Sequence, residues 1–429
     1  MVIDFPVTTP DQTGPDQTGP DQAGSDQEGL DQAGFAARLT ALGPFEPHPR
    51  LAAGVSGGPD SSALALLAAR FARDRGGSLM ALIVDHGLRP DSATEAAETR
   101  ARLAEFGIPA RILPLAGLAR GPGLAARARA ARLDALTEVC RTAGLLHLLL
   151  GHHAEDQAET CLMRRLAGSG AAGLAGMSAL REVNATRILR PLLTVRRAAL
   201  RAICQHAGLP FVIDPSNHDP RTGRARARAA LADTVPDTAQ AALGHERAVA
   251  EADIAEMLAR RVRFHPGGYA LLTPGAILPA ALARVLMVVG GRVYPPRAAA
   301  LARLAADPRP ATLAGARLLA AGRLGEGWLV VRETPPPPID ARPGVVWGRF
   351  TLVAPALPPG LRVAALGSAW CDGAALPFAV RRALPSLWQG DALLAVPQLG
   401  FLHPNCPPGL GFRFTPPAPA AGAPFFPAG

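Results

Sequence analysis

Gly54-Val55-Ser56-Gly57-Gly58-Pro59-Asp60-Ser61-Ser62 is the stretch that decides the fold of this chain. It follows a short apolar run and opens a run rich in alanine and leucine, so it predicts a strand, a tight glycine turn and the start of a helix. A helix start carries free N–H groups and about half a positive charge, which favours phosphate. Gly57 and Gly58 let the backbone approach an anion closely because neither has a Cβ atom.

Three side chains of this stretch can serve a bound phosphate. Ser56 and Ser61 offer hydroxyl donors, and Asp60 can cap the helix or help to hold a magnesium ion. The common P-loop needs a lysine that reaches the outer phosphates, but all 44 basic residues of this chain are arginine. The pattern predicts a phosphate site of another kind, and the alternative is a capped glycine turn without a ligand.

The charge of the chain is unevenly distributed. Its 429 residues predict two or three domains, and the formal net charge is +9. Residues 1–34 hold seven acidic residues and no basic one, and residues 11–35 repeat Asp-Gln-x-Gly-x five times, so we expect a disordered tail. The remainder has 44 basic and 28 acidic residues. This balance suits a nucleic-acid partner, and a solvated basic surface is the alternative.

Cysteine use and hydropathy indicate the compartment. The five cysteines form no Cys-x-x-Cys pair, which argues against a disulfide framework or a zinc ribbon. No basic region followed by an apolar stretch is visible near residue 1. The most apolar window, 276–291, contains Arg284 and is too short to cross a membrane. We therefore expect a cytoplasmic protein without a membrane partner; the oligomeric state is not legible.

From about Phe35 the chain alternates apolar runs with helical patterns, which predicts an α/β fold with a parallel sheet covered on both faces. The predicted strands are 51–55, 79–84, 110–115 and 147–150, and the predicted helices are 61–73, 92–106, 124–142 and 154–166. Ligands of such sheets bind beyond the carboxyl ends of the strands. The glycine turn, Asp85-His86-Gly87 and Gly151-His152-His153 all follow strands, so we expect them to form one site.

The alternation stops near residue 230. Residues 238–265 and 292–322 look helical, 325–331 resemble a turn and a strand, and four prolines at 335–338 predict a linker. Short apolar runs over 345–416 indicate a small β or α+β module. The predicted divisions are an acidic tail (1–34), the α/β domain (35–232), a mainly helical region (233–334), the C-terminal module (339–416) and a loose tail (417–429).

The segment 151–160, Gly-His-His-Ala-Glu-Asp-Gln-Ala-Glu-Thr, is the main candidate for chemistry beyond the glycine turn. Glu155 and Glu159 are four residues apart, and Asp156 and Glu159 three, so their side chains share a helix face. Such a cluster needs a cation, and magnesium bound with ATP is the simplest. Zinc fails because adjacent histidines point apart and no His-Glu-x-x-His occurs. The alternative is a helix start with favourable acids.

Two weaker features lie nearby. Asp85 and His86 at a strand end can bind adenosine or hold a metal, or can simply form a satisfied turn. Arginines recur at short spacing, and the planar guanidinium group can bind phosphate through two parallel hydrogen bonds. A solvated basic surface is again the alternative. These arginines are Arg127, Arg129, Arg132, Arg224, Arg226 and Arg228.

Together these segments resemble the bacterial tRNA(Ile)-lysidine synthetases, which belong to the PP-loop ATP pyrophosphatase superfamily. The loop 56–61 resembles the pyrophosphate loop of the superfamily, and the histidine-rich motif 151–160 is typical of the family. The remaining matching segments are 84–89, 128–132, 168–177, 190–193 and 214–217. The order and spacing fit over about residues 47–230, and the resemblance is looser beyond.

The resemblance implies a reaction. ATP adenylates the C2 oxygen of the wobble cytidine in an isoleucine tRNA with anticodon CAU, and the ε-amine of free lysine then displaces AMP. It implies ATP and Mg²⁺ as cofactors, with Asp60 and Asp156 as metal ligands. The implied catalytic residues are Asp60, Asp156, Arg129 and Glu159; the ATP-binding residues are Ser56, Gly57, Gly58, Pro59, Asp60, Ser61, Asp85 and His86; and the tRNA- or substrate-binding residues are Arg132, His152, Arg224 and Arg226.

Two positions depart from the family pattern. The family usually has aspartate where this chain has Glu155, which keeps the charge but reaches further, and tyrosine where this chain has Leu133. Three rival functions remain: a tRNA thiolase of the same superfamily, a small-molecule amide-forming ligase, and a non-catalytic RNA-binding module. The chain has no suitable cysteine pair for a thiolase and no glutaminase pattern for an amide-forming ligase. Its intact loop 56–61 argues against a non-catalytic module.

Overall fold

The computed structural model describes residues 30–87, 91–115, 117, 121, 123–183, 185–212, 238–292, 294–369, 376–416, 420–422 and 424–428. Arg224, Arg226 and Arg228, and the segment 214–217, lie outside the described residues.

The first domain is an α/β layer structure built on one six-stranded sheet. Its strands are β1 Arg50–Val55, β2 Ser78–Asp85, β3 Ala110–Pro114, β4 His147–Leu150, β5 Leu180–Val183 and β6 Thr186–Leu189. The strand order is β3-β2-β1-β4-β6-β5, and every pairing is parallel except that of the edge strand β5. Its helices are α1 Gln32–Ala41, α2 Pro59–Arg73, α3 Ser92–Glu105, α4 Leu124–Thr142, α5 Ala154–Leu166, α6 Ala171–Leu174 and α7 Arg197–His206.

Both faces of the sheet are covered, which is why the central strands are continuous apolar runs. Leu51 and Val55 of β1 pack in a core with Phe71 of α2, whereas Leu148 of β4 packs with Leu136 of α4 on the other face. Pro59 begins α2 because a proline in the first turn loses no intrahelical hydrogen bond. The predicted parallel α/β domain is confirmed, and the predicted bounds of β4, α4 and α5 coincide with the observed ones.

The last of the five acidic repeats is helical rather than disordered. Asp31 caps α1 by accepting a hydrogen bond from the N–H of Gly34 at 2.7 Å. Phe35 and Leu39 of the same helix have no exposed surface. These two apolar anchors explain why the helix begins within the repeat.

The second region contains helices and a five-stranded antiparallel sheet. Its elements are α8 Thr238–Arg261, β7 Val262–His265, β8 Tyr269–Leu272, α9 Pro279–Gly290, α10 Ala298–Ala306, β9 Ala311–Leu313, β10 Ala316–Ala320 and β11 Trp328–Arg332, with sheet order β7-β8-β11-β10-β9. The helix predicted over 238–265 ends at residue 261, where β7 follows, and the helix predicted over 292–322 is found only at 298–306. Ala314 and Gly315 have positive φ angles of 53° and 73°, which turn the chain into a β-hairpin.

The third region is mostly β, as predicted. It comprises β12 Ile339–Asp340, β13 Val346–Trp347, β14 Phe350–Val353, β15 Leu361–Ala365, α11 Phe378–Arg381, β16 Pro385–Gln389, β17 Ala392–Val396, β18 Phe401–Leu402 and β19 Gly411–Phe414. Its two sheets have the orders β12-β15-β16-β17-β18 and β13-β14-β19. Among the described residues, no helix is long and apolar enough to cross a membrane.

The C-terminal segment 424–428 returns to the first domain. The Phe426 backbone exchanges hydrogen bonds with it: its N–H donates to Ser178 Oγ at 3.0 Å, and its carbonyl accepts from Ala179 N–H at 2.9 Å. The Phe425 side chain is 5% exposed. These residues, expected to be loose, are therefore packed.

Candidate active site

The loop 56–61 lies where the strand order of the parallel sheet reverses. β1 pairs with β2 on one side and with β4 on the other, so the connections after β1 and β4 leave a crevice beyond their carboxyl ends. A Cβ atom on Gly151, the first residue after β4, would lie 3.1 Å from the carbonyl oxygen of Asp60. The glycine turn and the histidine-rich motif thus meet, as the sequence predicted.

The loop is held in shape by its own hydroxyl and glycine residues. Ser61 Oγ accepts a hydrogen bond from the Ser56 N–H at 3.1 Å and donates to the Gly58 carbonyl at 3.1 Å. Gly57 has a φ of 81°, a conformation that favours glycine. Gly58 is the N-cap of α2, and no described side chain caps that first turn. The helix start is therefore open to an anion.

His153 gathers the acidic residues of the site around one buried imidazole. Its Nε2 atom lies 3.5 Å from Asp60 Oδ2 and 3.5 Å from Asp156 Oδ2, and its Nδ1 atom lies 2.8 Å from Glu155 Oε2. Burial lowers the pKa of His153, but the hydrogen bonds to Asp60 and Glu155 and the neighbouring carboxylate charges raise it further, to about 10. The ring is therefore an imidazolium at neutral pH, and it offsets the repulsion between the carboxylates.

Asp60 and Asp156 come from different helices, and each has a further contact. Arg197 Nε lies 3.6 Å from Asp60 Oδ2. Asp156 Oδ2 accepts a hydrogen bond from the His153 N–H at 3.3 Å, so Asp156 caps α5 as well as facing the site. The two predicted metal ligands are thus brought together, with His153 between them.

A magnesium ion fits the carboxylates of Asp60 and Asp156 by the chemistry of their oxygen atoms. Asp60 Oδ1 is buried and has no hydrogen-bond partner among the described residues. The described residues contain no group of three or more histidine, cysteine, aspartate or glutamate side chains arranged to hold a metal. Magnesium commonly takes one or two protein carboxylates and completes its shell with phosphate oxygens and water. The site suits such an ion only together with a nucleotide.

A cationic cluster lies beside Asp156. Burial lowers the pKa of Arg132, and the Asp156 charge opposes that shift. Burial and the charge of Arg190 lower the pKa of His152 to about 3, with smaller contributions from Arg132 and Arg129. His152 is therefore neutral, and its buried Nδ1 atom has no partner among the described residues. A neutral imidazole next to guanidinium groups can hydrogen-bond a nucleobase or a phosphate.

Asp85 and His86 line the site at the end of β2. Asp85 Oδ1 accepts a hydrogen bond from the Gly87 N–H at 2.9 Å. Hydrogen bonds from the Ser92 side chain and from Gly87 lower the pKa of Asp85. Burial, followed by the charge of Arg132, lowers the pKa of His86. Asp85 therefore shapes the turn, while the influence of Arg132 places His86 near the cationic cluster.

Glu159 lies one turn beyond Asp156 on α5 and is 1% exposed.

Gln157 on the same helix attaches the glycine-rich stretch 168–177 to α5. The Gln157 side chain accepts from the Met177 N–H at 2.7 Å and donates to the Met177 carbonyl at 3.2 Å. A Cβ atom on Gly176 would lie 2.7 Å from the Gln157 amide. The stretch is thus attached to the helix that carries Asp156.

The sequence predictions missed three contributors to this site. The sequence suggests a role for His153 only as a zinc ligand, which its spacing excludes; it gives no signal for Arg197, and it includes Arg190 only in a segment that matches the family. Arg190 Nη1 donates to the Ser178 carbonyl at 2.8 Å, and burial lowers its pKa to about 10. The double histidine before an acidic helix start was the available signal for His153. Arg197, 137 residues after Asp60 in the chain, gave none.

Comparison with known proteins identifies related chains. A family model described as a PP-loop domain matches residues 32–235. A tRNA(Ile)-lysidine synthase from Ruegeria pomeroyi is 35% identical over 386 residues, which cover 83% of this chain and 90% of that protein. Proteins of the same name from Novosphingobium aromaticivorans and Methylobacterium nodulans are 43% and 42% identical, over 63% and 62% of this chain and 86% and 83% of their own lengths.

A solved structure among those that match has a weak likeness to this chain. The U34-tRNA thiolase NcsA from Methanococcus maripaludis with its [4Fe-4S] cluster matches with a TM-score of 0.42 and 18% identity, over 50% of this chain and 78% of that one. This likeness is too weak to indicate a shared function.

Proposed function

The chain belongs to the tRNA(Ile)-lysidine synthase family, and we propose that it joins free L-lysine to the wobble cytidine of an isoleucine tRNA with anticodon CAU. It is a tRNA-modifying ligase with an ATP-binding PP-loop domain. In the first proposed step the C2 oxygen of the cytidine attacks the α-phosphorus of ATP and pyrophosphate leaves. In the second, the ε-amine of lysine attacks C2, AMP leaves with the C2 oxygen, and the new nitrogen loses its proton.

The observation that carries this proposal is the meeting of the loop 56–61 with the acidic start of α5 at one sheet edge. The contact between Gly151 and Asp60 brings the phosphate-binding backbone within reach of Asp156 and His153. Leaving pyrophosphate carries negative charge that helix N–H groups stabilise. A carboxylate pair beside that position suits nucleotide-bound magnesium.

The residues divide between the two proposed steps. Ser56, Gly57 and Gly58 hold the pyrophosphate portion, and Asp60 with Asp156 would hold Mg²⁺, which supplies charge stabilisation on the phosphates when bound. Pro59 and Ser61 keep the loop in shape, while Asp85 and His86 seat the adenosine. All of these residues lie at the carboxyl edge of the sheet.

The second step needs a general base and a binding site for the ε-amine of lysine. Asp156 or Glu159 binds the lysine ammonium and takes its proton, since both carboxylates project from α5. Arg129, Arg132 and neutral His152 contact the activated cytidine or a tRNA phosphate. The cytidine must leave its stack to enter the site. Arg224 and Arg226 remain predicted tRNA contacts, and the regions beyond residue 238 supply further grip on tRNA.

The described cysteines give no support to the thiolase alternative. Cys140 and Cys204 are buried, and burial raises the pKa of each thiol to about 11, so neither is a ready thiolate at neutral pH. Cys161 and Cys406 lie on α5 and in the C-terminal region, respectively. A sulfur carrier would need a low-pKa thiol or a cluster-binding set.

Lysine incorporation tests the proposed function. Purified protein, ATP, magnesium and labelled lysine are mixed with an isoleucine tRNA transcript bearing CAU, and with a methionine tRNA of the same anticodon as the control. We expect label only in the isoleucine tRNA, with one AMP and one pyrophosphate per lysine. Pyrophosphate release without lysine transfer would point instead to a thiolase or to another acceptor. No ATP cleavage would overturn the proposal.

Asp156→Asn tests the assignment of the carboxylate pair. Asparagine keeps an oxygen that can cap α5 but removes the charge, so we expect the fold to persist and turnover to fall by on the order of 100-fold or more. Asp134→Asn on the exposed side of α4 is the matched control. Near-normal turnover by Asp156→Asn would remove Asp156 from the mechanism.

A further inference from the structure

The Glu155 carboxylate connects α5 with α7. Glu155 is the second residue of α5, and its side chain is 44% exposed. Its Oε1 and Oε2 atoms lie 3.2 and 3.1 Å from the backbone nitrogen of Arg197, the first residue of α7. The N–H at a helix start lacks an intrahelical acceptor, so a carboxylate from another helix satisfies it. Glu155 therefore caps α7 from outside.

The same carboxylate also fixes the direction of the His153 ring. His153 Nδ1 donates to Glu155 Oε2 at 2.8 Å. With Nδ1–H committed there, Nε2–H faces Asp60 Oδ2 and Asp156 Oδ2, each at 3.5 Å. A ring nitrogen held by a carboxylate sets the orientation of the other ring nitrogen, as it does for histidines in metal sites.

Both cationic groups that face Asp60 are thus held by Glu155. One is the His153 imidazole, and the other is Arg197, whose Nε atom lies 3.6 Å from Asp60 Oδ2 and whose backbone N–H binds Glu155. His153 is only 4% exposed at its side chain, so it cannot turn freely once packed. The orientation of the Asp60 carboxylate consequently depends on a side chain that does not contact it directly.

We propose that Glu155 is a positioning residue that, through His153 and Arg197, sets the mutual orientation of Asp60 and Asp156 for the adenylation step. The inference rests on the proposed function for the step it serves. Both Glu155 oxygens are engaged by α7 and one also by His153, so Glu155 is not placed as a metal ligand. This gives a physical role to the residue that departs from the family pattern.

The length of the side chain matters to this role. Glutamate spans from α5 to the α7 backbone while keeping contact with a ring two residues earlier in the chain. An aspartate here is one methylene shorter and can keep the His153 contact without reaching α7 as well. Glu155→Asp therefore keeps the contact with His153 and loses the contact with the Arg197 N–H. Glu155→Gln keeps the size of the side chain and removes its negative charge.

The experiment compares Glu155→Gln and Glu155→Asp with the wild type. Glu98→Gln, which removes an exposed ion pair with Arg102 on α3, is the matched control. The readouts are kcat and KM for ATP in tRNA-dependent AMP formation, the melting temperature, and the ¹⁵N signals of the His153 ring, assigned with His153→Gln. The full chain is used throughout.

We expect Glu155→Gln to keep one acceptor for the Arg197 N–H, and hence a nearly unchanged melting temperature. Its kcat should fall by about 10- to 100-fold, as for other residues that orient a ligand or base, with a much smaller change in KM. The Nδ1 signal of His153 should shift with it. Glu155→Asp should recover part of kcat and most of the His153 signal, and Glu98→Gln should change neither.

Unchanged kcat and an unchanged His153 signal in Glu155→Gln would overturn the proposal. A loss of kcat matched by an equal loss of folded protein would reduce Glu155 to a structural cap and would also overturn it. If the wild type forms no AMP with any tRNA while Glu155→Gln still displaces the His153 ring, the proposed function fails but the positioning contact stands. These outcomes keep the two proposals distinguishable.

Discussion

Gly57 has two independent reasons to be glycine. Its φ of 81° disfavours any residue with a Cβ atom. That atom would also lie 2.5 Å from Thr99 Oγ1 on α3. The shape of the phosphate loop therefore depends on α3 as well as on the loop itself.

Gly57→Ala should destabilise the protein and weaken ATP binding. The positive φ costs about 1–2 kcal/mol of unfolding free energy, and the clash with Thr99 adds to it. Gly107→Ala is the control, because Gly107 has a φ of 68° but nothing within 4 Å of its Cβ position. Chemical denaturation and ATP titration check this. Equal losses in both variants would show that Thr99 does not constrain the loop.

His153 should make the stability of the protein depend on pH above neutrality. Its pKa is raised from 6.5 to about 10 in the folded state. The charged form is favoured by folding, so the stabilisation is fully present below about pH 6.5 and is lost as the pH rises toward 10. Denaturation at pH 7 and pH 9.5 should show a larger loss of unfolding free energy for the wild type than for His153→Gln. Parallel curves would contradict this assignment.

At the scale of elements, α5 organises one side of the site. Its start carries Glu155 and Asp156, and its second turn holds the glycine-rich stretch 168–177 through Gln157. Arg164 of the same helix donates to the carbonyls of Gly173 and Gly176 at 2.8 and 2.7 Å. Polar contacts from this helix thus help to order the glycine-rich stretch.

Gln157→Ala should make the glycine-rich stretch 168–177 less ordered. The change leaves the partly buried N–H and carbonyl of Met177 without the Gln157 amide that bonds both, at a cost of about 1–3 kcal/mol. Gln157→Glu retains the acceptor but not the donor and should lose less. Hydrogen exchange at the Met177 amide, with the melting temperature, measures the effect. Unchanged exchange in Gln157→Ala would show that the other contacts of the stretch, such as those of Arg164, order it without Gln157.

At the scale of the whole molecule, the C-terminal segment links the later regions to the first domain. The Arg247 guanidinium on α8 lies 4.4 Å from the Phe425 ring centroid, and Arg247 Nη1 donates to the Ala172 carbonyl at 2.6 Å. Phe426 continues the link by pairing with Ala179. The helix α8, in the part of the chain that we propose contacts tRNA, is thereby held against the first domain.

Phe425→Ala should weaken this link. Removing a buried aromatic side chain costs about 3 kcal/mol, and the loss falls on the contact between α8 and the C-terminal segment. Phe378→Ala, at a side chain that is 55% exposed, is the control. Limited proteolysis near residue 424 and thermal unfolding check the effect. Resistance equal to the wild type would show that the segment is not needed for the docking.

Local patterns determined the parallel α/β domain and the position of its site. A strand of one histidine and three leucines at 147–150 and a capped acidic helix start at 154 are set by residues adjacent in the chain, and both were predicted with the observed bounds. The position of the site could be predicted because the carboxyl ends of parallel strands meet at one edge of the sheet, where ligands bind. The resemblance to a family came from the same local motifs.

Only the tertiary structure decided which residues act together. The hairpin at 311–320 is alanine- and leucine-rich and helical in composition, yet pairing with β11 makes it a strand. The contacts of Arg197 with Asp60 and Glu155, and of Phe426 with Ser178, join positions more than 40 residues apart. Sequence spacing carries no signal for such contacts, because packing of whole elements sets these distances. The sequence by itself thus determined the fold class and the candidate phosphate-binding loop, and packing determined that His153 lies between the two carboxylates.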